Sequence, residues 1–304
     1  MQHCNGRIGA LAALLCLGLA ACQTLPPPST LPQSQRQALE QRGTDGSFEG
    51  AFDTAQTFER FNDPRAIAYY ERAAAVAPWT FHNTKAEEAL GRIWISGTLR
   101  HADSPHINPA PVLRASWRRG ERAYLAAAYH GNPYAFYELA KAYRQRGDAQ
   151  QALRWDLREM IYKRYPSSSS RLPDAVAAQD DTVHPRVAQI QRRAERGDAE
   201  AQVDLGALLE GGMGLPRDPA RALQLYQRAG EKGNVFGQYF AGLLLGRSAP
   251  GVEKDTEAAA RWFAKAEAQR FYMAAPSYWK KAVEPPFFLF SELWRRAMLG
   301  CFCR

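Results

Sequence analysis

Hydrophobic and polar positions divide the chain into four stretches. A short polar start carrying Arg7 leads into an apolar run from Ile8 to Ala21. Residues 23–46 are then polar and rich in Pro, Gln, Ser and Thr (TLPPPSTLPQSQRQ in part). From about residue 47 to 272, small and large apolar residues return in groups at helical spacing, broken by Gly, Asp and Pro. Finally, Phe287-Phe288-Leu289-Phe290, Leu293-Trp294 and Ala297-Met298-Leu299 form a nearly continuous apolar stretch beside Arg295-Arg296. The run Ile8–Ala21 is shorter than the roughly 20 residues a membrane-spanning helix needs, so it predicts a signal peptide over 1–21. The Pro/Gln-rich composition of 22–46 cannot bury a core and predicts an extended tether.

The third stretch repeats itself. Leu205-Gly206 aligns with Ala241-Gly242 at a spacing of 36, and Ala222, Leu225-Tyr226 and Ala229 align with Ala259, Trp262-Phe263 and Ala266 at 37. Each unit predicts two antiparallel helices. Small residues such as Gly206 and Ala229 let them approach, while Leu205, Leu209, Leu225 and Tyr226 fill the seam. Gly212 and Gly214 end the first helix, and Asp218-Pro219 starts the second, with Asp as the cap and Pro suited to the first turn. The second-helix pattern returns at Arg65-Ala66, Tyr69-Tyr70 and Arg72-Ala73, at Ala123-Tyr124 and Ala127, and at Arg192 and Ala194. First-helix patterns appear at Leu90-Gly91 with Trp94 and Gly97, and at Ala135, Leu139-Ala140 and Tyr143. Two long loops, Thr98–Pro111 and Pro166–Thr182, interrupt the array.

This pattern resembles the Sel-like repeat (SLR), a relative of the tetratricopeptide repeat, and the unit from Pro133 to Pro166 is similar to a plain tetratricopeptide repeat. The resemblance implies an all-α fold, a right-handed superhelical solenoid of antiparallel helix pairs over 47–272. Residues 273–304 then follow as a segment that either caps the last pair or docks on a partner or membrane surface. Leu19-Ala20-Ala21-Cys22 resembles the bacterial lipobox, which implies acylation of Cys22 after cleavage. Gln23 after the cysteine implies export to the outer membrane. Several acyl chains, at about 0.8 kcal/mol per buried CH₂, would hold the chain there firmly.

Charge changes this picture little. The formal net charge is +8, and the body without residues 1–21 keeps +7. The excess is diffuse Arg, with no run longer than pairs such as Arg118-Arg119, which argues against a nucleic-acid tail. Solvated surface accounts for it, with an acidic polysaccharide or peptidoglycan as the alternative partner. Of the five cysteines, only Cys301 and Cys303 accompany Cys22 in the mature body, so no disulfide framework is expected.

Candidate chemistry is sparse. His101 and His106 with Asp103 lack further ligands at a zinc-like spacing, so no metal is expected. His82, His130 and His184 sit near helix termini, where a cap or dipole role suffices. Ser167–Ser170, Glu87-Glu88 and Asp180-Asp181 read as polar surface rather than a nucleophile or a facing carboxylate pair. No Gly-rich phosphate loop follows a strand, and neither a catalytic residue nor a cofactor is expected. Solenoids bind through surface pattern, so Trp155, Arg158, Arg261 and Trp262 on second helices are the candidate partner contacts. Together these features predict a non-enzymatic scaffold in the periplasm, lipid-anchored at the outer membrane and holding envelope proteins together. Lipoproteins with similar repeats include an alginate-secretion scaffold, so exopolysaccharide export is the alternative process. Regulation of murein enzymes through wall binding is the other.

Overall fold

The computed structural model describes residues 33–60, 63–76, 80–99, 113–163 and 184–283; Cys22, the signal sequence, the loop residues 100–111 and 166–182 and Phe287–Leu299 lie outside these. The helices in chain order are α1 (Gln33–Arg42), α2 (Phe48–Arg60), α3 (Arg65–Ala75), α4 (Phe81–Ser96), α5 (Trp117–Tyr129) and α6 (Pro133–Gln145). They continue as α7 (Ala149–Lys163), α8 (Pro185–Glu195), α9 (Ala199–Gly211), α10 (Pro219–Glu231), α11 (Val235–Arg247), α12 (Thr256–Ala268) and α13 (Pro276–Val283), with a 3₁₀ turn at Tyr272–Ala274 before the last. Among the described residues there is no strand, only a bridge between Ala249 and Val252. Consecutive helices pack on one another, most extensively α2–α3, α4–α5, α6–α7, α9–α10, α10–α11 and α11–α12, and α8 lies against α9. The architecture is an all-helical solenoid.

The Leu-Gly and Ala-Gly dipeptides do more than narrow the helix. A Cβ on Gly206 would fall 2.5 Å from the Tyr226 ring, one on Gly91 would fall 2.5 Å from Tyr124, and one on Gly242 would fall 2.8 Å from Phe263. Each first helix is thus stripped of a side chain where the aromatic ring of its partner lies. Tyr124, Tyr226 and Phe263 are buried as a result. At Tyr226 the hydroxyl is satisfied by donating to Glu210 Oε2 at 2.9 Å, and at Tyr70 by donating to Glu59 Oε2 at 2.6 Å.

Polar side chains also join successive pairs. Gln238 Nε2 donates to the Gly230 carbonyl at 3.0 Å, Gln202 Nε2 to the Ala194 carbonyl at 3.4 Å, and Asn83 Nδ2 to the Ala73 carbonyl at 2.9 Å. In each case an amide in the first turn or so of one helix satisfies a carbonyl in the last turn of the helix before it, where no intrahelical partner exists. The joining turns are equally regular. Gly131, Gly197 and Gly233 all adopt φ of 86°, and Asn132, Asp198 and Asn234 follow as caps of the next helix. The caps of α10 at Asp218 with Pro219, and the left-handed end of α9 at Gly212, match the sequence expectation.

The same turn occurs once more without glycine. Arg270 donates its N–H to Glu267 O, Phe271 donates to Ala266 O, and Arg270 takes φ of 64°. A left-handed conformation costs an L-residue roughly 1–2 kcal/mol, and glycine gives part of that back as chain entropy. Arg270→Gly is therefore expected to stabilise the fold by about 0.5–1 kcal/mol, read as an upward shift of the urea midpoint at constant slope. An unchanged or lowered midpoint would contradict this account of the turn.

At the N-terminal end the structure departs from the expected boundary. Residues 33–42, expected within the extended tether, form α1, because Gln, Arg, Ala, Leu and Glu are good helix formers and Leu39 finds an apolar seat. Thr54 Oγ1 donates to the Leu39 carbonyl at 3.1 Å, and Glu40 and Asp53 pair with Arg65 and Arg42. At the other end, Phe271 is buried beside Phe236 and Tyr239, and Trp279 stacks on Phe263 at 5.0 Å. Tyr272 donates its N–H to the His130 carbonyl at 3.0 Å and stacks on Phe81 at 5.1 Å. The described part of the C-terminal segment thus covers the last pair, while the turn before it at Tyr272 reaches back to the start of α4 and the end of α5.

Candidate interaction surface

Two opposite-charge pairs meet where α7 crosses α9. Arg154 and Arg158 lie one turn apart on α7, and Glu200 and Asp204 lie one turn apart on α9. Arg158 Nη1 donates to Asp204 Oδ1 at 2.9 Å and its Nη2 to Glu200, while Arg154 Nε donates to Asp204 Oδ2 at 3.0 Å. Glu200 also accepts from Tyr129 Oη at 3.1 Å and from Asn234 Nδ2 at 2.7 Å. One carboxylate therefore ties together α5, α7 and the loop before α11. The Arg158 guanidinium lies over Phe236 at 4.7 Å and Trp155 at 5.0 Å, inside a ring cluster completed by Phe136 and Tyr129.

This geometry corrects two sequence expectations. Trp155 and Arg158 are each 1% exposed and face the interior, so they hold the solenoid together instead of touching a partner. The physical reason is that Glu200 and Asp204 supply buried countercharge, which turns an arginine that would otherwise snorkel into a core residue. Glu87 and Glu88 are likewise not plain solvated surface. Glu87 is buried and faces His130 Nδ1 at 3.0 Å, and Glu88 accepts from Asn132 Nδ2 at 3.0 Å, joining α4 to the turn before α6. His184 caps α8 by accepting from Arg186 N at 3.2 Å. His101, His106, Ser167–Ser170, Asp180-Asp181, Cys301 and Cys303 lie outside the described residues.

Arg261 and Trp262 stay available at the surface. Arg261 is exposed and faces Glu257 at 3.7 Å, a weak pair between two solvated side chains. Trp262 rests one edge over Gly230 and carries Lys265 Nζ 4.1 Å above its ring, so part of the indole remains accessible. A cavity of about 330 Å³ opens beside the α7–α9 junction, lined by Tyr129, Glu200, Lys232, Asn234 and Gln269 among others. Its carboxylates are committed: Asp198 caps α9 and pairs with Arg193, and Glu200 is held as above. Among the described residues no group of three or more His, Cys, Asp or Glu is placed to hold a metal ion, and no helix is long and apolar enough to cross a membrane.

Burial works to raise the Glu200 carboxyl, but the Arg158 and Arg154 charges, helped by the Tyr129 and Asn234 donors, outweigh it and hold the group below the ordinary carboxylate range. A carboxyl lowered on folding adds stability above its unfolded pKa and loses that stability as pH falls through the folded one. Glu200→Gln should therefore be less stable than the parent at neutral pH, with the gap narrowing below about pH 4. Urea titrations at pH 7 and pH 3.5 would show this; a gap independent of pH would mean that the charge does not contribute.

Three segments, residues 56–75, 199–234 and 235–270, match the Sel1 repeat. The chain carries Sel1 repeats. The second and third segments begin at the α9 and α11 helices built on Gly206 and Gly242, and each runs through the partner helix into the following turn. Among solved structures, the chain is similar to a protective antigen, c5321, of uropathogenic Escherichia coli displaying an SLR fold, at 19% identity over 77% of this chain, with a TM-score of 0.29. The chain spans 48% of the length of that antigen. It is also similar to a Sel1 repeat protein from Oxalobacter formigenes, at 20% identity over 76% of this chain and 74% of the other, with a TM-score of 0.29. A comparison with curated proteins finds no match.

Proposed function

We propose that this chain is a non-enzymatic scaffold for protein–protein interaction, anchored by lipid on Cys22 to the outer membrane, facing the periplasm and assembling or localising an envelope complex. Sel1 repeats generally act as scaffolds for protein interaction. The observation that carries the reading is where the polar chemistry goes. Arg154, Arg158, Glu200, Asp204, Gln202, Gln238, Asn83 and Asn132 all bond one helix to another, so they serve the shape of the solenoid. The anchor rests on the lipobox-like Leu19-Ala20-Ala21-Cys22.

Radiolabelled palmitate and membrane fractionation test the anchor. The parent is expected to label and to sediment with outer membranes, and Cys22→Ser to do neither; a Cys22→Ser protein that still labels would remove the anchor from the reading. Photo-crosslinking in cells from benzophenone placed at Arg261 tests the scaffold. A salt-insensitive adduct with one envelope protein is expected. Salt-sensitive retention on isolated peptidoglycan or acidic polysaccharide, with no protein adduct, would favour a polymer-binding role instead.

A further inference from the structure

The open side of α5 changes character along its length. Gly120, Tyr124, Ala127 and Ala128 form the buried side of this helix. Arg118, Arg122, Leu125 and Tyr129 follow one another at i, i+4, i+7 and i+11, a single stripe opposite that side, with Arg119 at its edge. The three arginines are exposed, Leu125 is half-buried and Tyr129 is 37% exposed. Guanidiniums are also held on both flanks. Arg119 lies over the Trp94 ring of α4 at 4.3 Å, and Arg146, just past the end of α6, lies over the Trp117 ring at 4.4 Å.

Arg118, Arg119, Arg122 and Arg146 have no carboxylate within ion-pair distance among the described residues. Glu121, three residues from Arg118, accepts instead from Tyr143 Oη at 2.7 Å; Asp148 caps α7 by accepting from Gln151 N at 3.0 Å, and Asp156 pairs with Arg144 at 2.6 Å. Residues 100–112 add one Arg and one Asp, hence no net charge. At its other end the stripe meets the cavity beside α9. Tyr129, about 16 Å beyond Arg118 along the helix, lines that cavity with Ala199 and Val235, while the carboxylates there, Asp198 and Glu200, already answer arginines. Guanidinium forks bind carboxylates in pairs of hydrogen bonds, and a recess with apolar walls takes a side chain. An acidic polysaccharide supplies the charge without an apolar side chain, and a membrane surface is too flat to enter the recess. A polypeptide supplies both, about 16 Å apart over some five extended residues.

Building on the scaffold reading, we propose that this stripe of α5 docks a segment of a partner protein that has carboxylates at one end and an apolar side chain at the other. The carboxylates meet Arg118, Arg119 and Arg122, and the apolar side chain enters the cavity at Tyr129.

The test titrates the full-length protein in nonionic detergent, by fluorescence anisotropy, with the fluorescein-labelled peptide Glu-Asp-Glu-Gly-Ser-Gly-Leu-Phe and with its reversed sequence, since either polarity fits the stripe; detergent alone is the blank. The tighter of the two is expected to bind at least tenfold better than the same peptide with lysine at the acidic positions, and tenfold better than the one with glycine in place of Leu-Phe. Arg118→Glu/Arg122→Glu should weaken it at least tenfold with the circular dichroism unchanged. Arg192→Glu/Arg196→Glu, the same charge change at the exposed end of α8, should leave it within twofold. Absent binding, indifference to either change of probe, or equal loss in the two variants overturns the proposal. So does a polyuronate or a phosphatidylglycerol vesicle that displaces the probe at tenfold lower charge concentration than the unlabelled peptide, which makes a polymer or a membrane the occupant. A dimer that Arg118→Glu/Arg122→Glu dissolves makes a second copy the occupant, and a tenfold gain on Asp174→Asn/Asp180→Asn/Asp181→Asn assigns the stripe to the chain's own acidic segment; either overturns it. The scaffold reading fails separately, through the Arg261 crosslink on α12.

Discussion

Arg158→Ala is expected to lower the unfolding midpoint by on the order of 10 °C, the largest loss of any single substitution considered. It removes the 1%-exposed guanidinium that answers both Glu200 and Asp204 and leaves Arg154 as the one cation facing two buried carboxylates, beside a hole where the side chain was. Breaking a buried pair from one side typically costs about 3–5 kcal/mol, since the stranded charge keeps its desolvation penalty. At about 2–4 °C per kcal/mol for a chain of this size, the midpoint shift follows. The mechanism has its own control. Arg158→Met combined with Asp204→Leu removes both charges while keeping volume, and should recover much of the loss, because an apolar replacement of a buried ion pair is often neutral. If Arg158→Ala unfolds within about 1 kcal/mol of the parent, the junction is not the brace described here.

Gly206→Leu is the second large effect. With the Tyr226 ring 2.5 Å from where a Cβ would sit, α9 and α10 must separate, and Tyr226 must leave its pocket and its bond to Glu210. Overpacking a close seam costs about 1–3 kcal/mol, and the lost bond to a buried carboxylate adds to it. A loss of about 3 kcal/mol in urea unfolding is expected. Adding Tyr226→Ala should be less damaging in the Gly206→Leu background than in the parent, since the ring is the obstacle. Additive losses would show that the ring and the glycine are not in conflict.

The repeat frame was readable from the sequence because its determinants are local. Leu205-Gly206, Ala229, Gly212 and Asp218-Pro219 each dictate a neighbour within a turn or two, and the three Sel1 segments fall where those residues recur. What escaped was non-local. Trp155 and Arg158 look like surface aromatics and cations on an amphipathic helix until α9 brings Glu200 and Asp204 across from them. The signal was present as matched spacings, Arg154 to Arg158 and Glu200 to Asp204, but nothing within α7 alone says which face is covered. The amides Asn83, Gln202 and Gln238 were passed over for a similar reason, since each bonds to the preceding helix. The helical start at residues 33–42 was hidden by the prolines just before it.

A tandem array held by neighbour contacts alone can fray from either end, one unit at a time. The Tyr272 amide bound to the His130 carbonyl, with Tyr272 laid on Phe81, forbids that here for the units in between. These contacts cinch a stretch of some 140 residues into a closed hoop, so its far end cannot peel away without also letting go of its near end. Hydrogen exchange across α5 to α12 should then report one shared opening event instead of a gradient towards the terminus. A partner pulling on the last repeat would feel the stiffness of the whole loop.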